Sequence, residues 1–109
     1  MVFYGKDCKK KELGGGVSRR ILAYDERIMA VEVSFEKGAV GATHSHTHGQ
    51  ISYVISGKFE YTEGGITSVI STGDSYVVAG GVPHGVVCLE EGVLLDVFTP
   101  MREDFIEKK

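Results

Sequence analysis

From residue 28 onward, short runs of Val, Ile, Leu, Phe and Tyr alternate with breaks that carry glycine. The runs at 28–35, 50–55, 58–61, 67–70, 75–78, 85–89 and 93–98 are rich in β-branched and aromatic residues, and each predicts a strand. Glycines at 14–16, 38, 41, 49, 57, 64, 65, 73, 80, 81 and 92 punctuate them. Seven such runs, the last six starting about 8 to 10 residues apart, predict an all-β antiparallel sandwich or barrel. In the last run Leu95 and Val97 share one face and Asp96 and Phe98 the other, because side chains alternate along a strand. Residues 102–109 suit a short C-terminal helical turn, with Pro100 fixing the approach and lysines near the end. Residues 1–27 read as an N-terminal arm and strands without legible chemistry. Within them 8–13 are charged and form a loop or an arm of the kind that adds a strand to a partner's sheet.

Length and charge narrow the function classes. A chain of 109 residues fits one domain spanning 1–109. With 42% hydrophobic residues, 25% charged residues and a formal charge of −3, the composition is that of an ordinary soluble protein. The lysines and arginines sit mostly near the two ends and form no stripe for nucleic acid. No apolar run approaches the roughly 18 residues of a membrane span, and no signal-peptide core opens the chain, so the expected location is the cytoplasm. Cys8 and Cys88 follow no ligand spacing and are expected as free thiols, Cys88 in a packing role.

Three of the four histidines, His44, His46 and His48, lie within five residues, and His84 follows in Gly80-Gly81-Val82-Pro83-His84. Imidazole is the commonest metal ligand, and a His-x-His pair on a strand turns both rings to one face. The spacings are G-x5-H-x-H-x3-Q-x6-G from Gly38 to Gly57, then G-x7-G-x2-H from Gly73 to His84. This pattern resembles the cupin family, whose members carry G-x5-H-x-H-x3,4-E-x6-G and G-x5-P-x-G-x2-H-x3-N on a small double-stranded β-helix (jelly-roll) barrel. The resemblance covers residues 38–87, with motifs at 38–57 and 73–87. It departs at Gln50, where Glu is usual, at Ala79, where Pro is common, and at Val87 or Cys88, where Asn would fall.

The resemblance implies one divalent metal ion held by His44, His46, Gln50 and His84. Three imidazoles and an amide oxygen suit Ni, Fe, Mn, Co or Zn. They leave the ion's full charge in place, which favours Lewis-acid chemistry on an anionic or enolate-like ligand. His48 is expected behind the ligands or exposed, since the chain must turn at Gly49. The competing reading is a barrel without its ion or a surface patch that binds ions adventitiously, and two separated motifs argue against it.

Asp96 lies inside Val-Leu-Leu-Asp-Val-Phe, where a carboxylate is costly to bury without compensation. From the residues alone, it is either functional or neutralised by a buried arginine such as Arg102. Asp74, after Gly73, reads as a turn residue. The segments HSHTHGQISYVISG and LLDVFTPMREDF resemble the KdgF-type cupins of pectin and alginate breakdown. That resemblance implies a catalytic Asp96, Phe98 lining a sugar site, and Arg102 acting on the substrate carboxylate. The implied reaction is ring opening of 4,5-unsaturated monouronates to linear 5-keto-4-deoxyuronate. Two other readings stand beside it: a cupin dioxygenase acting on a small organic substrate, and a non-catalytic module binding a sugar or small acid. A homodimer is expected, since small barrels commonly cover their edges by pairing.

Overall fold

Two long strands, each bent at a glycine, carry the architecture. The structure is a computed structural model and describes residues 1–106. Its strands are β1 (Lys11–Gly14), β2 (Val17–Tyr24), β3 (Met29–Phe35), β4 (Val40–His44), β5 (Gly49–Glu63), β6 (Ile66–Ser71), β7 (Ser75–Val78) and β8 (His84–Thr99), all paired antiparallel. One layer runs β1-β2-β3, then the second half of β8, the first half of β5, and β7. The facing layer joins β4, the first half of β8, the second half of β5, and β6. The expected all-β jelly-roll is the observed fold.

Runs 50–55 and 58–61, expected as two strands, form the single strand β5, and runs 85–89 and 93–98 form β8. The intervening glycines allow these two paired strands to approach closely where they bend. Gly57 has φ +89°, and a Cβ there would lie 2.6 Å from the Glu91 carbonyl and from Gly92 Cα. A Cβ on Gly92 would collide in turn with the Ser56 carbonyl. The register slips around Ser56, so each strand bends from one layer to the other without ending.

In the N-terminal region, expected as an arm and strands, the arm pairs within its own chain. Residues 17–24, which carry Arg19 and Arg20 amid the apolar positions, form β2, and β1 from the charged arm folds back onto it within the same chain. At the other end, Glu103–Phe105 makes one 3-10 turn, and residues 107–109 of the expected C-terminal turn lie outside the described residues.

Inward positions of both layers meet in a core of Phe35, Val54, Phe59, Val86, Cys88 and Leu94, with Phe35 and Phe59 edge to face at 5.2 Å. Cys88 is buried there, and both cysteines are free thiols. A second cluster, Met29, Val31 and Phe98, is covered by Met101, Phe105 and Ile106 of the C-terminal segment. On β5, Gln50, Ser52 and Val54 point inward, while Ile51, Tyr53 and Ile55 face outward and are exposed, as is Val77 on β7. Among the described residues no helix is long and apolar enough to cross a membrane.

Candidate metal centre

His44 ends β4 and His84 begins β8, and the two are direct partners across the antiparallel pair. His46 lies beyond the strand, in the connection to β5. The alternation expected of a His-x-His strand is therefore not what aims its ring. The loop is fixed by the Gly80–Gly81 turn: the Gly81 amide donates to the His46 carbonyl at 2.7 Å. A Cβ on Gly80 would collide with the Thr47 carbonyl. These two glycines let the loops bearing both motifs close on each other.

The ligand atoms of His44, His46 and His84 all lie within 4.8 Å of one another. Each ring is held from behind by a backbone carbonyl on Nδ1: His44 by Ala42 at 2.9 Å, His46 by His48 at 3.0 Å and His84 by Val82 at 2.9 Å. An Nδ1–H donating to a carbonyl leaves the Nε2 lone pair free to face the centre. His84 Nε2 is buried and meets no hydrogen-bond partner among the described residues. A buried nitrogen of that kind needs a compensating group. Burial lowers the pKa of both His46 and His84, with their hydrogen bonds opposing the shift, which favours the neutral imidazole a metal requires. The donor set thus fits a metal ion. His48 is half-buried and contributes its carbonyl, while its ring packs edge-on at 5.6 Å from that of His46.

Gln50 is buried, with Oε1 2.9 Å from His46 Nε2; with the His46 proton on Nδ1, both atoms present lone pairs, as two ligands of one ion do. Its amide nitrogen donates to Ser52 Oγ at 2.9 Å, and Ser52 Oγ donates to Asp96 Oδ1 at 2.6 Å. Strand register explains the chain, because Gln50 sits opposite Phe98 and Ser52 opposite Asp96. Burial raises the Asp96 carboxyl to about 6, against the Ser52 hydrogen bond and the nearby charges of His44 and Arg102, which lower it. Tyr76, also in the cavity wall, is held above the ordinary phenol range by burial and by the Asp96 charge.

Arg102 does not neutralise Asp96. Its Nε and one terminal nitrogen donate to the two oxygens of Asp104 at 3.0 and 2.7 Å, which holds the Asp104 carboxyl below its usual range. Its guanidinium lies 4.3 Å from the ring centre of Phe105 and 5.1 Å from that of Phe98. Asp74 accepts the Ser71 amide at 2.8 Å in the turn between β6 and β7, away from the site.

One cavity of about 250 Å³ is lined by His44, Gln50, His84, Asp96, Phe98 and Arg102 among others. A larger groove of about 750 Å³ between the N-terminal arm and β2 is lined by Lys9, Lys10 and Arg20 and contains no histidine. Converging donors, and not size, mark the smaller one. Tyr76, Phe105 and Arg19 in its wall, and Ser52 behind Asp96, are not among the site residues expected from the sequence. The inward period of β5 is enough to flag Ser52, two residues after Gln50. Arg19, 3.7 Å over the Phe105 ring, depends on the C-terminal segment folding across β2, for which the sequence holds no local signal.

Residues 31–98 match the family model for the cupin domain. The protein named pectin degradation protein KdgF from Dickeya dadantii (strain 3937) is 46% identical over 106 residues, covering 95% of this chain and 96% of that protein. The solved RmlC-like cupin from Shewanella frigidimarina NCIMB 400 superposes with a TM-score of 0.92 at 41% identity, covering 96% and 95% of the two chains. The structure of KdgF from Halomonas sp. gives 0.92 at 36%, covering 97% and 98%. Fold, histidine arrangement and these similarities agree: the chain belongs to the cupin family.

Proposed function

We propose that this chain is a metal-dependent enzyme that opens the ring of 4,5-unsaturated monouronates to linear 5-keto-4-deoxyuronate. The reading rests on one observation: the cavity bordered by His44 and His84 is also bordered by Asp96, Phe98 and Arg102. The similarity to proteins named KdgF, one of them a pectin degradation protein, supports it. So does size, since about 250 Å³ is below the usual range for drug-sized ligands and suits one sugar ring.

A divalent ion held by His44, His46, His84 and Gln50 would supply Lewis-acid polarisation of substrate oxygens. Arg102 orients the substrate through its carboxylate, a planar group that matches the guanidinium fork; to do so it exchanges Asp104 for the substrate. Phe98 and Phe105 give the ring an apolar wall and exclude water from it. Asp96 takes the proton from the anomeric hydroxyl as general base. The C1–O5 bond then breaks, C1 becomes an aldehyde, and the electrons of that bond form an enolate across O5, C5 and C4. The proton returns at C4 from Asp96 and C5 becomes the ketone. One proton leaves and one returns, with no net oxidation.

The whole of residues 1–109 acts as one domain in this reading, in the cytoplasm, where free thiols such as Cys8 and Cys88 persist. It works as a homodimer through the outward face carrying Ile51, Tyr53 and Val77, since an apolar face of that kind suits a second copy. The direct test follows loss of the conjugated uronate's ultraviolet absorbance with metal-loaded and chelator-stripped protein. Faster loss only with metal, equal in air and in oxygen-free buffer, and a product identified as the linear keto acid by NMR are expected. No acceleration by fully loaded protein, or a requirement for oxygen, would overturn the proposal.

A further inference from the structure

Ser52 is fully buried and lies between a proposed metal ligand and the proposed general base. With Asp96 ionised, its hydrogen bonds to these two residues have one sense. Gln50 Nε2 carries hydrogens and no lone pair for this purpose, so at 2.9 Å the serine oxygen must accept. Asp96, when ionised, can only accept, so at 2.6 Å from Oδ1 the single hydroxyl proton then points to it. Tyr76, the cross-strand neighbour on β7, is a third hydrogen-bond partner of Ser52; with the serine proton directed to ionised Asp96, the serine oxygen accepts from Gln50, and the chain runs from Gln50 through Ser52 to Asp96. It settles which way the Gln50 amide faces: nitrogen to Ser52, carbonyl oxygen to His46 and the centre. Rotating the amide by half a turn would set its oxygen against a hydroxyl whose proton is already committed.

We infer that Ser52 is a positioning residue that couples Gln50 to Asp96, aiming the amide oxygen at the metal and the carboxylate at the substrate, and that this coupling requires an amide at position 50. A glutamate at 50 has no hydrogen to give Ser52. Two carboxylates would then compete for one hydroxyl proton within a buried pocket, which destabilises both. The departure of Gln50 from the usual glutamate thus follows from Ser52 and Asp96 being present together. The Gln50 half of this inference stands on the donor geometry alone; the Asp96 half rests on the uronate reading.

The experiment measures metal affinity, by competition with a chelator, and the kinetics of uronate turnover for Ser52→Ala. Ser52→Cys, which preserves volume but supplies only a weak donor, serves if the alanine variant fails to fold. Expected are a fall in metal affinity of about tenfold, the scale of removing a group that orients a ligand, and a fall in kcat with KM changed by less than about twofold. The same substitution placed on Gln50→Ala should produce no additional loss of metal affinity. Unchanged affinity in a folded Ser52 variant would overturn the inference, as would an equal further loss on the Gln50→Ala background. If the uronate reading itself is wrong, wild type does not turn over while affinity still falls in the Ser52 variant, so the two failures are distinguishable. A second arm compares Gln50→Glu in the wild-type and Asp96→Asn backgrounds: the drop in Tm should shrink when Asp96 is neutral, and equal drops would contradict the coupling.

Discussion

Replacing Asp96 by Asn should remove turnover and, in the metal-free protein at neutral pH, increase stability. Burial raises the Asp96 carboxyl from 3.8 to about 6, so between those values the folded protein holds a proton that the unfolded chain has released. Stability contributed by this group is therefore full below about pH 4 and is lost as the pH rises through about 6. The shift is about two units, and at about 1.4 kcal/mol per unit it amounts to an upper value of about 3 kcal/mol. The asparagine side chain has no charge to desolvate and can still accept the Ser52 proton through its carbonyl oxygen. The assay is thermal unfolding of chelator-treated wild type and variant across pH 4 to 8 at one protein concentration. The two should nearly coincide at the acid end, and the variant should lead at neutral pH by an amount on the order of 10 °C for a domain this small. Comparing the two proteins isolates Asp96 from carboxylates that titrate in the opposite sense, such as Asp104 beside Arg102. A constant offset across the range, or a less stable variant at neutral pH, would refute the desolvation argument.

Three further outcomes are expected. His46→Ala should weaken metal binding by more than about 100-fold, since losing a ligand exceeds the effect of losing its supporting group. The apolar clusters around Phe59 and Val31 contain none of the histidines, so its far-ultraviolet circular dichroism should stay that of wild type; full metal retention would refute the ligand assignment. Arg102→Ala should raise KM for the uronate about tenfold with a smaller change in kcat, because the wild-type arginine must first release Asp104. An equal effect on an uncharged analogue would count against carboxylate recognition. Ile51→Glu on the outer face should convert a dimer to a monomer in light scattering, and a monomeric wild type would contradict the proposed pairing.

The legible and illegible features separate along physical lines. Strand composition and glycine spacing make the all-β fold readable, because β-branched runs broken by glycine leave few other options. The histidines stand out because three of the four fall within five residues of sequence. What a one-dimensional pattern does not carry is whether a glycine ends a strand or bends it. Gly57 and Gly92 bend theirs, and only the close approach of the paired strands β5 and β8 at these glycines reveals why. Strand alternation predicts the aim of His46 for the wrong reason, since contact with the Gly80–Gly81 turn, over thirty residues away in sequence, sets its loop. The alternation of β8 correctly puts Asp96 and Phe98 on one face, yet the partner of Asp96 is Ser52, a cross-strand neighbour fixed by register. Arg102, the salt-bridge candidate from sequence, turns instead to Asp104 two residues away.

The most direct measurement compares initial rates of uronate ring opening by wild type and Asp96→Asn, each assayed for bound metal beforehand. The account predicts equal metal content, a wild-type rate well above the uncatalysed one, and a variant rate that falls to that background. A metal-loaded Asp96→Asn protein that turns over like wild type would contradict the assignment of Asp96 as the base.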